Sequence, residues 1–230
     1  MTVFQMPFYF AYENKRITPG FEPIPGWKPF ANYGSSPAQI IAHCVRNKDF
    51  SVLHAGDYFD ETVNGTTYRW TIAEFNHYGR GEALLVPDKL MPDNMKFSDV
   101  DNLYIDSTLD WKFKDFYRVM PDSLKPYVLK MSLPCTNVNG KVDYFDEHVF
   151  PPSEIEAFGT AKYSNESSRT YTQWACFTDN SSRIRSNRWY WLRSTHANSN
   201  IAIPAVNTDG SAAAARIRAA GGALPCFCIG

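Results

Sequence analysis

Alternating apolar and polar positions predict most strands of this chain. Over Thr66 to Phe75, the residues Tyr68, Trp70 and Ile72 recur at every second position, the period of a half-buried strand. Asn64-Gly65 stands just before them, a strong hairpin-turn signal, and Gly56-Asp57 marks an earlier turn. Phe50 to Leu53 reads as the start of one strand and Glu82 to Val86 as another. After Asn187 the pattern predicts a strand over Arg188 to Arg193. Ile201, Ile203 and Ala205 then alternate and lead to Val206. Thr208-Asp209-Gly210-Ser211 reads as a hairpin turn, and Ala212 to Arg218 and Ala223 to Ile229 as closing strands.

Helical spacing is confined to the first two thirds. Ser36-Pro37 opens a helix, a cap residue followed by proline, with Ile40, Ile41, Cys44 and Val45 on one face. Residues 100–135 read as helical: Phe113, Phe116, Tyr117 and Met120 share a face, Pro121 breaks the helix, and Leu124 to Met131 resumes it. Val138-Asn139-Gly140 is a turn. Ser153 and Glu156 form a capping box over a short helix, Glu154 to Phe158.

Residues 1–34 have no such frame. They are rich in Pro, Phe, Tyr and Gly and read as an irregular arm whose aromatic side chains pack on something else. The division expected is an arm and first helix over 1–49 and an α+β domain over 50–230. At 230 residues the chain is long enough for a substantial core, and 44% hydrophobic with 20% charged residues excludes a disordered chain. An aromatic content of 15%, with many short segments punctuated by Gly, Pro, Asn and Asp, favours a β-rich or irregular α+β domain over a helical bundle. The net charge of -1 provides no cationic field to gather phosphates, so nucleic acid is not expected as a partner. No basic and apolar leader opens the sequence, and no apolar run reaches the roughly 18 residues of a membrane span. The expectation is synthesis in a cytoplasm, without membrane insertion, and exit by a route such as lysis.

Signals for catalysis are weak. The five cysteines match no zinc spacing, and buried free thiols are expected. Cys226 and Cys228 flank Phe227 and would share one face of a strand, a poor geometry for a mutual disulfide. Asp57, Asp60 and Glu61 lie close together but fit no calcium loop. The histidines form no helical zinc pair, and neither a nucleophile elbow nor a phosphate loop is present. Asp143, Asp146 and Glu147 could include a carboxylate pair, although charged loops are far commoner. No metal, cofactor or catalytic residue is assigned, and a binding protein is expected rather than an enzyme.

The tail carries the unusual signal. From Ser194 to Gly230 there is no Lys, Glu, Gln, Met or Trp, where about six or seven are expected from the preceding chain. A buried set of small-residue strands would exclude those types, but Thr195, His196, Asn198, Ser199, Asn200, Arg216 and Arg218 do not suit such a set. The absent types are those that codons ending in a pyrimidine cannot encode. Asn codons altered at their adenines would give the palette found here.

Trp189-Tyr190-Trp191-Leu192-Arg193-Ser194 resembles the "WWLRSP" signature of a domain of unknown function common in gut bacteria and their phages. That family follows it with a variable Asn-rich stretch, a Ser-Asp-Gly turn and a closing "GVRPA" segment. Thr208-Asp209-Gly210 and Gly222-Ala223-Leu224-Pro225 stand at the matching positions. Ala55-Gly56-Asp57, Tyr68 to Ile72 and Ala83 to Val86 resemble its opening hairpins, so the likeness covers about residues 50–230. Thr195 replaces the signature proline and Leu224 the arginine. The tail is also similar to the variable region of retroelement-diversified proteins with a C-type-lectin-like fold.

These resemblances imply a C-type-lectin-like domain with short antiparallel strands and a few helices, and a variable region over 195–223. Trp189, Trp191, Leu192 and Arg193 would be scaffold. Thr195, His196, Asn198, Asn200, Ile201, Ile203, Asn207, Ala212, Ala214, Arg216 and Arg218 would form one exposed ligand-binding patch, with about half of them able to face inward by strand alternation. The implied function is host attachment by a phage virion protein, through a cell-surface protein or glycan receptor. The arm would contact other virion proteins, in a homo-oligomer. The alternatives are a structural capsid or tail decoration protein, and an enzyme related to formylglycine-generating enzymes that would need reactive thiols at Cys226 and Cys228.

Overall fold

The computed structural model describes residues 36–230 apart from Val52. The arm expected over 1–34 lies outside the described residues. The architecture is α+β, with short antiparallel strands and a few helices. Helix α1 (Pro37–Asn47) starts at Ser36, whose hydroxyl accepts from the Gln39 N–H, with proline in the first turn. A hairpin follows, β1 (Tyr58–Val63) and β2 (Thr66–Phe75), turning at Asn64-Gly65. Asn64 and Gly65 both have positive φ, as a tight hairpin of this kind requires. Strand β3 (Ala83–Pro87) pairs with β2. Helix α2 (Thr108–Arg118) and a 3-10 turn (Lys125–Tyr127) precede a second hairpin, β4 (Met131–Thr136) and β5 (Val142–Glu147). Strand β6 (Val149–Phe150) and helices α3 (Glu154–Phe158) and α4 (Asn180–Arg183) lead to the tail strands. These are β7 (Tyr190–Trp191), β8 (Ala202–Val206), β9 (Ala212–Arg216) and β10 (Cys226–Ile229).

The main sheet runs β1-β2-β3-β10-β6, so the last strand in sequence lies inside it, antiparallel to both β3 and β6. Strand alternation sends Phe227 and Ile229 to one face and Cys226 and Cys228 to the other. On the first face they meet α1, α2, Trp70 and Leu85; on the second, Leu84, Phe150 and Trp174. Ala38, Ile41, Ala42, Cys44 and Val45 of α1 belong to the first cluster, so this helix is part of the core of the 50–230 domain.

The second sheet, β7-β8-β9, links both clusters. Trp191 faces the first and Tyr190 and Leu192 the second, all three fully buried. The Trp191 indole N–H donates to the Met95 carbonyl at 2.8 Å, and its ring lies against Phe97 and Trp189.

Four predicted elements are corrected. Phe50, Ser51 and Leu53 lie outside any strand, and the first begins at Tyr58. The tail strands are shorter than their sequence patterns: two residues rather than six around Trp191, and Cys226–Ile229 rather than Ala223 onward. Helix does not resume over Leu124 to Met131. It stops after one 3-10 turn because Val128 is extended and bridges Ile229, and Met131 then enters β4. Leu124, Val128 and Met131 mimic helical spacing because all three reach the core from different backbone states.

Two substitutions test this frame. Trp191→Ala is expected to lower unfolding free energy by about 3–5 kcal/mol in a denaturant titration. A loss below about 1 kcal/mol would remove Trp191 as an anchor. Gly210 has φ +79°, and a Cβ there would lie 1.8 Å from the Asn180 carbonyl oxygen. Gly210→Ala therefore lowers the melting temperature by several degrees, whereas Ala214→Ser on the exposed face of β9 leaves it nearly unchanged.

Candidate functional site

The tail surface is built on the β8–β9 hairpin. Register pairs Ala202 with Arg216, Pro204 with Ala214 and Val206 with Ala212, and these share one face. Ile203, Ala205, Ala213 and Ala215 share the other, where Ile203 and Ala205 are buried. The turn is closed by Gly210 N–H to the Asn207 carbonyl, and by the Ser211 N–H and hydroxyl to Asp209 Oδ1. Arg183, itself buried, donates from Nε to the Gly210 carbonyl at 3.0 Å and fixes the tip to α4.

Nine of the eleven patch residues from the sequence keep access to solvent. Asn198, Asn200, Ile201, Asn207, Ala214, Arg216 and Arg218 are exposed, and His196 and Ala212 are half-buried. Thr195 and Ile203 are fully buried and leave the patch. Ile203 occupies the inward position of β8, and Thr195 follows directly on the buried Arg193-Ser194. Of the scaffold residues, Trp191, Leu192 and Arg193 are fully buried and Trp189 is half-buried.

A buried polar cluster holds the base of the 196–201 loop. Both terminal nitrogens of Arg193 donate to the Glu156 carboxylate, with Arg193 also donating to the Pro151 carbonyl at 2.8 Å. Burial alone would lower the Arg193 pKa, but Glu156 beside it raises it well above its ordinary value. Glu156 also closes the capping box on Ser153 and accepts from the Tyr78 hydroxyl at 3.1 Å. Next in the chain, Ser194 Oγ accepts from the Glu154 N–H at 2.6 Å and donates to Glu166 at 2.5 Å. Glu154 in turn accepts from the Tyr163 and Ser164 amides, and the Ala197 N–H donates to the Tyr163 carbonyl.

The sequence pointed to Glu156 through its capping box but gave no sign of its partner Arg193 as an ion pair. It missed Glu166 and Asn102 altogether. Asn102 is buried and donates to the Ser199 carbonyl at 2.5 Å, tying the loop from the opposite side. A lone Asn or Glu in a polar stretch carries no sequence signal for such a role.

The weaker candidates are dispersed. Asp60 pairs with Arg69, Asp57 accepts from the His54 amide and Glu61 from the Ser123 hydroxyl. Asp143 and Asp146 are exposed beside Lys141 and Lys130, whereas Glu147 turns inward to Lys114. Among the described residues no group of three or more His, Cys, Asp or Glu could hold a metal ion, and no helix is long and apolar enough to cross a membrane. Cys226 and Cys228 are buried, and burial pushes both thiols well above their ordinary pKa.

Burial raises the Glu166 carboxyl to about 7, against hydrogen bonds from Ser194 and the Ile155 amide that lower it. A carboxyl raised in the folded state costs stability as pH climbs from its unfolded value, about 4.3, through 7, here up to roughly 3–4 kcal/mol. Glu147, raised to about 7 by burial and by Asp110, adds a fall in the same window. Melting temperature is therefore expected to drop between pH 5 and 7.5, and Glu166→Gln to flatten part of that slope; an unchanged slope would contradict the assignment. Alkylation of the native protein is expected to spare Cys226 and Cys228 until denaturant is added, and rapid native labelling would show that this part of the sheet opens.

No curated protein and no solved structure matches the sequence. One family matches residues 80–230, about two thirds of the chain, from just before β3 to the end of β10. By that match the chain belongs to the family described as Domain of unknown function (DUF6273).

Proposed function

We propose that this chain is a ligand-binding protein of a phage particle, with a C-type-lectin-like domain that attaches to the host through a diversified tail surface. The observation that carries this reading is the way composition and exposure coincide. Exposed residues of this composition fall on the outward positions of β9, the hairpin turn and the 196–201 loop, while Ile203, Ala205 and Ile217 between them are apolar and buried and Ala213 and Ala215 are half-buried. A surface of this kind can change its side chains while a packed frame keeps its shape. The "WWLRSP"-like segment supports the same reading, because Trp191, Leu192 and Arg193 are the buried frame beneath that surface.

The test is a library randomised together at His196, Asn198, Asn200, Ile201, Asn207, Ala212, Ala214, Arg216 and Arg218, displayed on the full chain. Most members are expected to fold, with stability changes of about 0.5 kcal/mol per site. Their binding across a panel of gut-bacterial strains is expected to redistribute. Widespread unfolding would make the tail part of the core, and folded variants with unchanged strain binding would place attachment elsewhere.

A further inference from the structure

The 97–103 loop lies beside the tail surface and is bonded to it at several points. The Phe97 and Ser98 amides donate to the Ile217 carbonyl, and the Ile217 amide to the Ile201 carbonyl. Arg218 donates to the Asp99 carbonyl at 2.9 Å, and Asn102 to the Ser199 and His196 carbonyls. Two large apolar side chains stand in solvent on this loop, Val100 at 84% exposure and Leu103 at 45%, next to a tail that itself exposes Ile201 at 51%. No packing reason explains Val100 on a loop so firmly anchored, and clustered exposed apolar residues mark interaction surfaces.

Charge narrows the partner. Among the described residues neither Arg216 nor Arg218 has a carboxylate within ion-pair distance; the Asp99 carboxylate is taken by Lys96. Aliphatic groups bordered by arginines that have no carboxylate partner among the described residues make the composition of a protein–protein contact, where the centre is apolar and Arg is enriched. Small-ligand sites are concave, whereas Val100, Leu103 and Ile201 stand out into solvent.

Resting on the attachment reading above, we propose that the 97–103 loop is a fixed second part of the tail surface, and that the composite binds a protein: an apolar patch bordered by carboxylates on the outside of the host cell. The tail residues would then tune a contact whose apolar centre, Val100 and Leu103, lies outside the diversified segment.

The experiment measures binding of the fluorescently labelled full chain to the same panel of gut-bacterial strains, before and after protease shaving or periodate oxidation of the cells. The variants are V100D, L103D and R216E/R218E, each first checked by thermal melting. V100D decides if L103D fails to fold, because Val100 is nearly free of the core. The expected result is a loss of at least tenfold in apparent affinity for all variants, weaker binding at 0.5 M than at 0.05 M NaCl, and loss of binding after protease but not after periodate. Loss with R216E/R218E and none with V100D or L103D would overturn this inference and leave the attachment reading standing. Binding that survives protease and disappears after periodate would replace the protein partner with a glycan. Binding to no strain, or unaffected by any variant, would overturn both readings.

Discussion

The Arg193–Glu156 pair is the constraint around which the tail half of the protein is arranged. Both side chains are withdrawn from water, so each charge depends on the other and on the carbonyls and hydroxyls around them. Removing one member of such a pair is expected to cost about 3–5 kcal/mol, because the remaining charge stays buried and unmatched. The partners come from different elements, Glu156 from the first turn of α3 and Arg193 from just after β7. Their pairing therefore fixes where the chain enters the 196–201 loop. Ser194 extends the arrangement to Glu154 and Glu166, so two successive side chains, Arg193 and Ser194, are oriented by hydrogen bonds rather than by packing alone.

On the other side of that entry point, packing takes over. The hairpin of β8 and β9 alternates so that Ile203 and Ala205 join the core while Ala214 and Arg216 remain outside. Arg183 at the hairpin tip and Asn102 beneath the loop each bind backbone carbonyls. A carbonyl is present whatever side chain follows, so these anchors do not depend on which residues occupy the outward positions. This separates shape from surface chemistry in a short segment.

Much of this frame was legible in the sequence, because period-2 patterns and local turn chemistry act over few residues. Thr66–Phe75, the Asn64-Gly65 turn, the Ser36-Pro37 helix start and the Ser153–Glu156 capping box all appear where their signals stand. The errors came where apolar residues reach the core from irregular backbone. Leu124, Val128 and Met131 imitate a helix, and Phe50 and Leu53 imitate a strand. The site was legible in part: alternation identified the outward positions of β9 but could not tell that Thr195 is drawn inward behind Arg193 and Ser194. Long-range polar pairing was not legible, since Arg193 and Glu156, or Asn102 and Ser199, meet only after the chain has folded.

The position of β10 has a consequence for synthesis. Between β3 and β6, it completes a five-stranded sheet and supplies buried side chains to both of its faces. A nascent chain that has not yet delivered Cys226–Ile229 has an open slot in its main sheet, with β3 presenting unpaired backbone and two unfinished apolar layers. Any shift of reading frame within the preceding tail removes that strand. Such a product cannot close the sheet, however acceptable its altered surface. A frame-shifted tail is thus rejected by folding itself, whatever side chains its surface would carry.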